Sequence, residues 1–379
     1  MFGIYIHIPF CRTACHYCDF HFSTNLRTLE AMEAALVKEI HIKMAALQPQ
    51  MHELQSVYFG GGTPSLFPVS GLRRLLNMML PGAVNVREIT LEANPEDITR
   101  ERLAQWRDMG ITRLSIGIQT FDQERLDWMN RKHTVATAEE SVHWAADAGF
   151  EHVSADLIYG LPNRREPFES ELARFTALPV DHLSAYILTV EPQTALGRQV
   201  SSGKERVVED AQIEAEYGAL CAAMDAAQFE HYEVSNWAKP GGHAVHNQHY
   251  WSGMPYWGIG PGAHGFDGKR RFANVANNPR YIQGVERATT MPQLPFETEV
   301  LTDSDRYNEA IMTGLRTANG IDLNALERAF SLRPDTANPR EWNRAMSAGW
   351  VVDLGGERYR IPEPHWLLAD AISADLFWA

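Results

Sequence analysis

The sequence predicts an α/β fold, a partial (β/α) barrel with a small helical unit appended at its C-terminal end. Three observations predict it. Short β-rich runs alternate with helical patterns over most of the chain, and such alternation implies βαβ units around a parallel sheet. There are six such runs, enough for a full or partial barrel. Beyond about residue 300 the alternation stops and short helical stretches take over.

The strand candidates, in order, are GIYIHI (3–8), SVYF (56–59), EITLEA (88–93), RLSIGI (113–118), HVSADLIY (152–159) and HLSAYIL (182–188). Each is rich in β-branched or aromatic residues and ends near Gly, Pro or Asn, the residues that punctuate strands. Between the first two, Leu29, Met32, Leu36, Ile40 and Leu47 recur at helical spacing. Thr99 to Met109, Thr137 to Ala148 and Glu169 to Leu178 read as helices in the same way, and Asp210 to Ala227 as a longer, alanine-rich one. Gly258 to Gly268, GIGPGAHGFDG, reads as a glycine-rich loop. Ser304 to Thr317, Leu323 to Phe330 and Arg340 to Ala348 follow as short helices, and WVVDLGGERYRI as a hairpin turning at Leu354-Gly355-Gly356. The expected organisation is a TIM-type barrel core over 1–230, a connecting region over 231–300 and a winged-helix-like domain over 301–379.

Composition narrows the function classes. The chain has 379 residues, 45% of them hydrophobic, and a formal charge of −14 from 48 acidic and 34 basic residues. An acidic chain is a poor partner for a nucleic-acid backbone. The winged-helix-like end is no exception: it carries eight arginines, no lysine and twelve acidic residues. No apolar run approaches the ~20 residues that span a bilayer, and there is no basic amphipathic anchor. Met1 to Pro9 lacks the basic and cleavage features of a secretory signal. Clustered cysteines without such a signal suit metal binding in a reducing cytoplasm. Cys221, in the alanine-rich helix, reads as a small buried apolar residue.

Cys11, Cys15 and Cys18 stand in IHIPFCRTACHYCDF. The C-x3-C-x2-C spacing puts three thiolates on one short loop and supplies no fourth. Four-iron clusters take one cysteine per iron, so three would leave one iron open to a small molecule. Zinc with His16 or His21 as fourth ligand is the alternative. The strand ends then offer a cradle, since barrel active sites lie at that end. Gly60-Gly61-Gly62-Thr63 allows close backbone approach. Glu92, Gln119 and Asp156 follow at one-βα-unit spacings, Asp156 within an apolar strand where a carboxylate is costly unless it faces a site. Arg131 could oppose a carboxylate by a charge-assisted bond.

These blocks, YIHIPFCRTACHYCDF, YFGGGTPS, LEANPE, RLSIGIQTFD, NRKH, DLIYGLP and HNQHYW, resemble in order the oxygen-independent coproporphyrinogen III oxidase family of radical S-adenosylmethionine (SAM) proteins. The resemblance covers most of the chain. It implies a [4Fe-4S] cluster on Cys11, Cys15 and Cys18, and SAM-lining roles for Tyr5, Gly61, Gly62, Thr63, Glu92, Gln119, Arg131 and Asp156. Tyr17 matches an aromatic beside a second SAM in the oxidases. It also implies one-electron cleavage of SAM to methionine and a 5′-deoxyadenosyl radical.

Three departures separate the chain from the oxidases. Phe20 stands where they carry a further cysteine. Only Met1 to Phe10 precede Cys11, where they have an N-terminal arm. His246-Asn-Gln-His-Tyr-Trp251 resembles the haem-binding motif of the haem-chaperone branch. That branch implies haem as a third ligand, with His246 its leading axial candidate and His243 and His249 as competitors; Tyr250 and Trp251 offer flat faces to a porphyrin. It implies delivery of haem to acceptor proteins, notably respiratory ones, a protein reductant for the cluster, peripheral membrane contact, and either a monomer or a homodimer as further expectations. The rival expectation is the oxidase itself, converting coproporphyrinogen III to protoporphyrinogen IX.

Overall fold

The computed structural model describes residues 1–378. Six parallel strands form the body of one sheet: β1 (Phe2–Ile8), β2 (Leu54–Gly61), β3 (Glu88–Ala93), β4 (Arg113–Gln119), β5 (His152–Tyr159) and β6 (His182–Ile187). They lie side by side in sequence order. Between them run α1 (Leu29–Leu47), α2 (Val69–Met79), α3 (Arg100–Asp108), α4 (Gln123–Trp128), α5 (Val135–Asp147) and α6 (Phe168–Thr176).

The physical cause is the period of two along each strand. Ile4, Ile6 and Ile8 of β1, Val57 and Phe59 of β2, Leu114, Ile116 and Ile118 of β4, and Val153, Ala155 and Leu157 of β5 are all buried in the apolar core. The intervening residues are polar, aromatic or glycine: Gly3, Tyr5 and His7; Ser56, Tyr58 and Gly60; Glu88, Thr90 and Glu92; Arg113, Ser115 and Gly117; Ser154 and Asp156. One face of the curved sheet is therefore greasy and covered by helices, and the other is a polar lumen.

The barrel is open. After α7 (Ala195–Ser201) and α8 (Asp210–Ala226), β7 (Glu230–Glu233) and β8 (Asn236–Ala238) add antiparallel to the β6 edge. Next, α9 (Val245–Trp251) packs against β1 and β2. On the other edge, β9 (Tyr256–Ile259) pairs parallel with β1, and β10 (His264–Phe266), β11 (Arg270–Asn274) and β12 (Phe296–Val300) continue antiparallel, with α10 (Asn278–Arg287) between the last two. The region expected as a connector thus supplies both flanks of a twelve-stranded sheet. The glycine-rich segment 258–268 is correspondingly two strands and a turn. A Cβ on Gly258 would lie 2.0 Å from the His264 carbonyl oxygen, so glycine there serves close backbone approach within a sheet.

The C-terminal unit contains α11 (Asp303–Leu315), β13 (Ile321–Asp322), α12 (Leu323–Phe330), α13 (Pro334–Ala337), α14 (Pro339–Ser347), the hairpin β14 (Val352–Gly355) and β15 (Arg358–Arg360), and α15 (Ala369–Ala374). Its three-stranded sheet has the order β13-β15-β14, the winged-helix-like arrangement expected. Among the described residues no helix is long and apolar enough to cross a membrane.

Candidate active site

The cysteine loop leaves the carboxyl end of β1 and is tied at both ends. The Cys11 amide donates to the Ser23 carbonyl (3.1 Å) and the Ser23 amide to the Pro9 carbonyl (2.8 Å). Its middle is held from outside. The His16 amide donates to Met129 O, the Leu196 amide to His16 O, and Asn130 Nδ2 to Ala14 O. Cys11, Cys15 and Cys18 are free, half-buried thiols.

This geometry bears on the zinc alternative. A single zinc with Zn–S bonds of about 2.3 Å holds its sulfurs about 3.8 Å apart. Among the described residues, only Cys221, His231 and Glu363 bring three ligand atoms within 4.8 Å of one another. The three loop sulfurs do not all lie that close together, and a cluster takes one thiolate per iron. His16 Nδ1 pairs with the Trp128 carbonyl (2.6 Å) and His21 Nε2 with Asn278 Oδ1 (2.8 Å), which occupies one nitrogen of each ring. Burial pushes the Cys11 thiol up to about 12 and the Cys18 thiol up to about 11. Metal coordination would reverse that, because a bound cation deprotonates thiols.

The loop forms one wall of a cleft of about 550 Å³ at the carboxyl ends of the strands. Tyr17, Gly61, Gly62, Thr63, Glu92, Gln119, Arg131 and Asp156 line it together with the three cysteines. At the end of β2, Gly62 donates to the Ile8 carbonyl at 2.9 Å. A Cβ on Gly62 would lie 2.7 Å from Phe10 O, and Gly61 sits at φ +110°, a region closed to most L-residues. Thr63 Oγ1 donates to Cys11 Sγ at 3.5 Å, coupling this turn to the loop.

Glu92 accepts from the Tyr58 hydroxyl (2.7 Å) and the Gly61 amide (3.2 Å). Burial nevertheless pushes its carboxyl up to about 7. Asp156 accepts from Ser115 Oγ at 3.2 Å. Burial raises it to about 6, against the opposing pull of Ser184, Ser115 and the Arg131 charge. Both carboxylates are thus poised near neutrality, as groups awaiting a donor often are. Arg131 donates to Asn94 Oδ1 (2.8 Å) and Gly117 O (2.7 Å) and approaches Cys15 Sγ (3.8 Å), while its buried Nε has no partner. Burial works against its charge, but Tyr17, Cys15 and Glu96 more than offset this and hold the proton firmly.

Gln119 has φ 69°, uncommon outside glycine. A Cβ on Gly117 would meet Gln119 Nε2 at 2.8 Å and Arg131 Nη2 at 3.2 Å, so Gly117 makes room for both side chains. Tyr17 packs on the small cluster of Leu126, Met129, Ile158 and Leu161 beside the loop.

Two expected site residues lie elsewhere. Tyr5 sits one layer below the cleft. Its hydroxyl pairs with His7 Nδ1 (3.2 Å) and its ring stacks on Tyr58 at 5.9 Å. His246 is near the amino-terminal end of the strands, above Gly3 and Ser56, and is 1% exposed. Both its ring nitrogens are engaged, Nδ1 with Ser56 Oγ (2.8 Å) and Nε2 with the Tyr250 hydroxyl (3.0 Å), and burial lowers its pKa to about 3. HNQHYW is therefore a helix, α9, closing the lumen. Glu88 on β3 accepts from the amides of Val245 and His246, both at 3.0 Å, and caps it. The cause is the polar lumen itself: a histidine on the buried face of a helix finds partners there.

Tyr58, Asn94, Ser115 and Ser184 were not singled out by sequence. Two of them share a sequence signal, Tyr58 lying two residues before Gly60 and Ser115 two before Gly117, whereas Ser184 is marked only by its place opposite Asp156 in the sheet.

A three-cysteine loop over a glycine-rich cradle, at the carboxyl mouth of an open six-stranded parallel barrel, defines a radical SAM protein. Residues 5–172 match the radical SAM superfamily, and residues 301–368 match the HemN C-terminal domain. Relatives named heme chaperone HemW include one from Mycobacterium tuberculosis, 36% identical over 98% of this chain and 93% of its own length. Another, from Bacillus subtilis, is 33% identical over 85% of each. The chain belongs to the heme chaperone HemW family. The fold also matches the Escherichia coli coproporphyrinogen III oxidase HemN, with a TM-score of 0.82 and 21% identity over 99% of this chain and 90% of that one.

Proposed function

We propose that this chain binds a [4Fe-4S] cluster, SAM and haem, and passes haem to acceptor proteins. One observation carries the reading. The SAM cradle and the HNQHYW helix occupy opposite ends of one lumen and are joined by a column of rings. Glu92 at the cleft bonds Tyr58; the Tyr58 ring stacks on His246 at 5.1 Å, and His246 meets Tyr250 edge-on at 5.2 Å.

In this reading Cys11, Cys15 and Cys18 hold three irons and leave the fourth to SAM. Glu92 and Asp156 accept bonds from its polar groups, and Arg131 opposes its carboxylate. Bound together, the cluster and SAM supply one-electron reductive cleavage of the sulfonium, with electrons from a protein reductant.

Haem belongs beside α9. A cleft of about 810 Å³ opens there, bordered by Gln248, His249 and Trp251 of the motif and by Arg87 and Arg358, which suit propionates. Among the described residues, His249 Nε2 has no hydrogen-bond partner, whereas His246 reaches iron only by giving up its bond to Ser56 or Tyr250. Haem titration of cluster-loaded wild type, His246→Ala and His249→Ala tests this. Loss of the haem Soret shift in either variant supports the reading and names the ligand; unchanged affinity in both removes haem from α9. The family names favour this over oxidase turnover, and anaerobic incubation with coproporphyrinogen III should give no protoporphyrinogen.

A further inference from the structure

Far from the cysteine loop, three ligating side chains from distant parts of the sequence converge. Cys221 projects from α8, His231 from β7, and Glu363 opens a 3₁₀ turn, Glu363–Leu368, in the C-terminal unit. Their ligand atoms lie within 4.8 Å of one another. His231 Nδ1 pairs with Glu363 Oε1 at 2.5 Å. The imidazole is only 6% exposed and is clamped between Trp237, stacked at 3.6 Å, and Trp366, edge-on at 4.2 Å. Its buried Nε2 has no partner. Glu363 is half-exposed and faces a cleft of about 590 Å³.

Cys221 is thus not the apolar filler its helix suggested. A nucleophilic role does not fit either. Reactive cysteines sit in electropositive surroundings that stabilise the thiolate, whereas Cys221 stands within 4.8 Å of the Glu363 carboxylate. A cation resolves what the protein leaves unresolved, because it would neutralise a thiolate and a carboxylate at once and fix the imidazole between them. One sulfur, one nitrogen and one oxygen donor is a borderline set that suits zinc. Three protein ligands leave a fourth position toward the cleft.

We propose that Cys221, His231 and Glu363 form a zinc site that fastens the C-terminal unit to the barrel edge, separate from the iron–sulfur loop. The site draws one ligand from the C-terminal unit and two from the barrel flank, so the ion is a cross-link between them.

The test uses the full-length, cluster-loaded protein with zinc as the probe. Zinc affinity is measured by chelator competition for wild type, Cys221→Ser and Glu363→Gln, with iron content and SAM affinity recorded for each. The expected result is one zinc per chain in wild type, at least tenfold weaker binding in both variants, and unchanged iron and SAM binding. No zinc in wild type, or equal affinity in all three, overturns the proposal. X-ray absorption at the zinc edge of wild type decides independently of the variants' folding. A single sulfur at about 2.3 Å among lighter ligands supports the site; three or four sulfurs would place the zinc on the cysteine loop and refute it.

Discussion

Glu88→Gln is the perturbation that most directly asks whether the lumen holds the HNQHYW helix in place. Glu88 and Arg113 form an ion pair at 2.8 Å, and both side chains are 2% exposed. The carboxylate also caps Val245 and His246, while the Arg113 guanidinium donates to Ser154 Oγ (3.1 Å), Gly242 O (2.7 Å) and His243 O (3.3 Å). Both ends of this pair therefore hold the chain entering α9. Removing one partner of a buried pair strands the other charge and costs about 3–5 kcal/mol, and a lost cap adds about 1 kcal/mol. We expect Glu88→Gln to destabilise by at least about 3 kcal/mol in urea unfolding, with faster amide exchange over 242–251. The double variant Glu88→Gln/Arg113→Gln should lose less than the sum of the singles, because it leaves no lone charge. Haem affinity should fall in Glu88→Gln, while iron content stays constant. A loss below about 1 kcal/mol, or strict additivity of the pair, would refute the reasoning.

Other outcomes follow from the same geometry. Glu92 has a folded pKa of about 7 against an ordinary 4.5. The folded chain therefore keeps a proton that the unfolded chain has released, and stability falls as pH rises from about 4.5 to 7, by up to about 3 kcal/mol from this group. Glu92→Gln should flatten that part of the urea-midpoint profile and weaken SAM binding; an unchanged profile would contradict it. Gly62→Ala, whose Cβ would lie 2.7 Å from Phe10 O, should lower SAM affinity at least tenfold, read by calorimetry on cluster-loaded protein. Arg131→Met should reduce SAM affinity by about 1–3 kcal/mol, the worth of a charge-assisted bond, and an unaltered affinity would remove Arg131 from the carboxylate site. Replacing Cys11, Cys15 or Cys18 singly by Ala should abolish stable cluster reconstitution, seen as loss of iron and of the broad visible absorption.

The six parallel strands were legible because each carries its own local signature. Period-two alternation in RLSIGI or HVSADLIY, bounded by turn residues, owes nothing to distant contacts. The flanking strands β7 to β12 were not legible, since runs of three to five residues carry too little pattern and exist because a sheet edge is available to pair with. Gly258 shows the limit well: in sequence it marks a loop, and only the facing His264 backbone reveals why a strand needs glycine there.

The amino-acid order by itself determined the loop chemistry. Three thiols within eight residues, a glycine turn and acidic strand ends are short-range facts, and their grouping at one barrel mouth follows from strand direction alone. Orientation and partnership were decided only in three dimensions. The same chain order that puts His246 first in its motif leaves open which way a seven-residue helix turns. Packing on Ser56, Tyr58 and Glu88 settled that by turning both His246 and His249 inward, the second also bordering a cleft. Likewise, Cys221 and Glu363 become neighbours only because the C-terminal unit folds back against α8, and side-chain proximity over such separations is a property of tertiary packing.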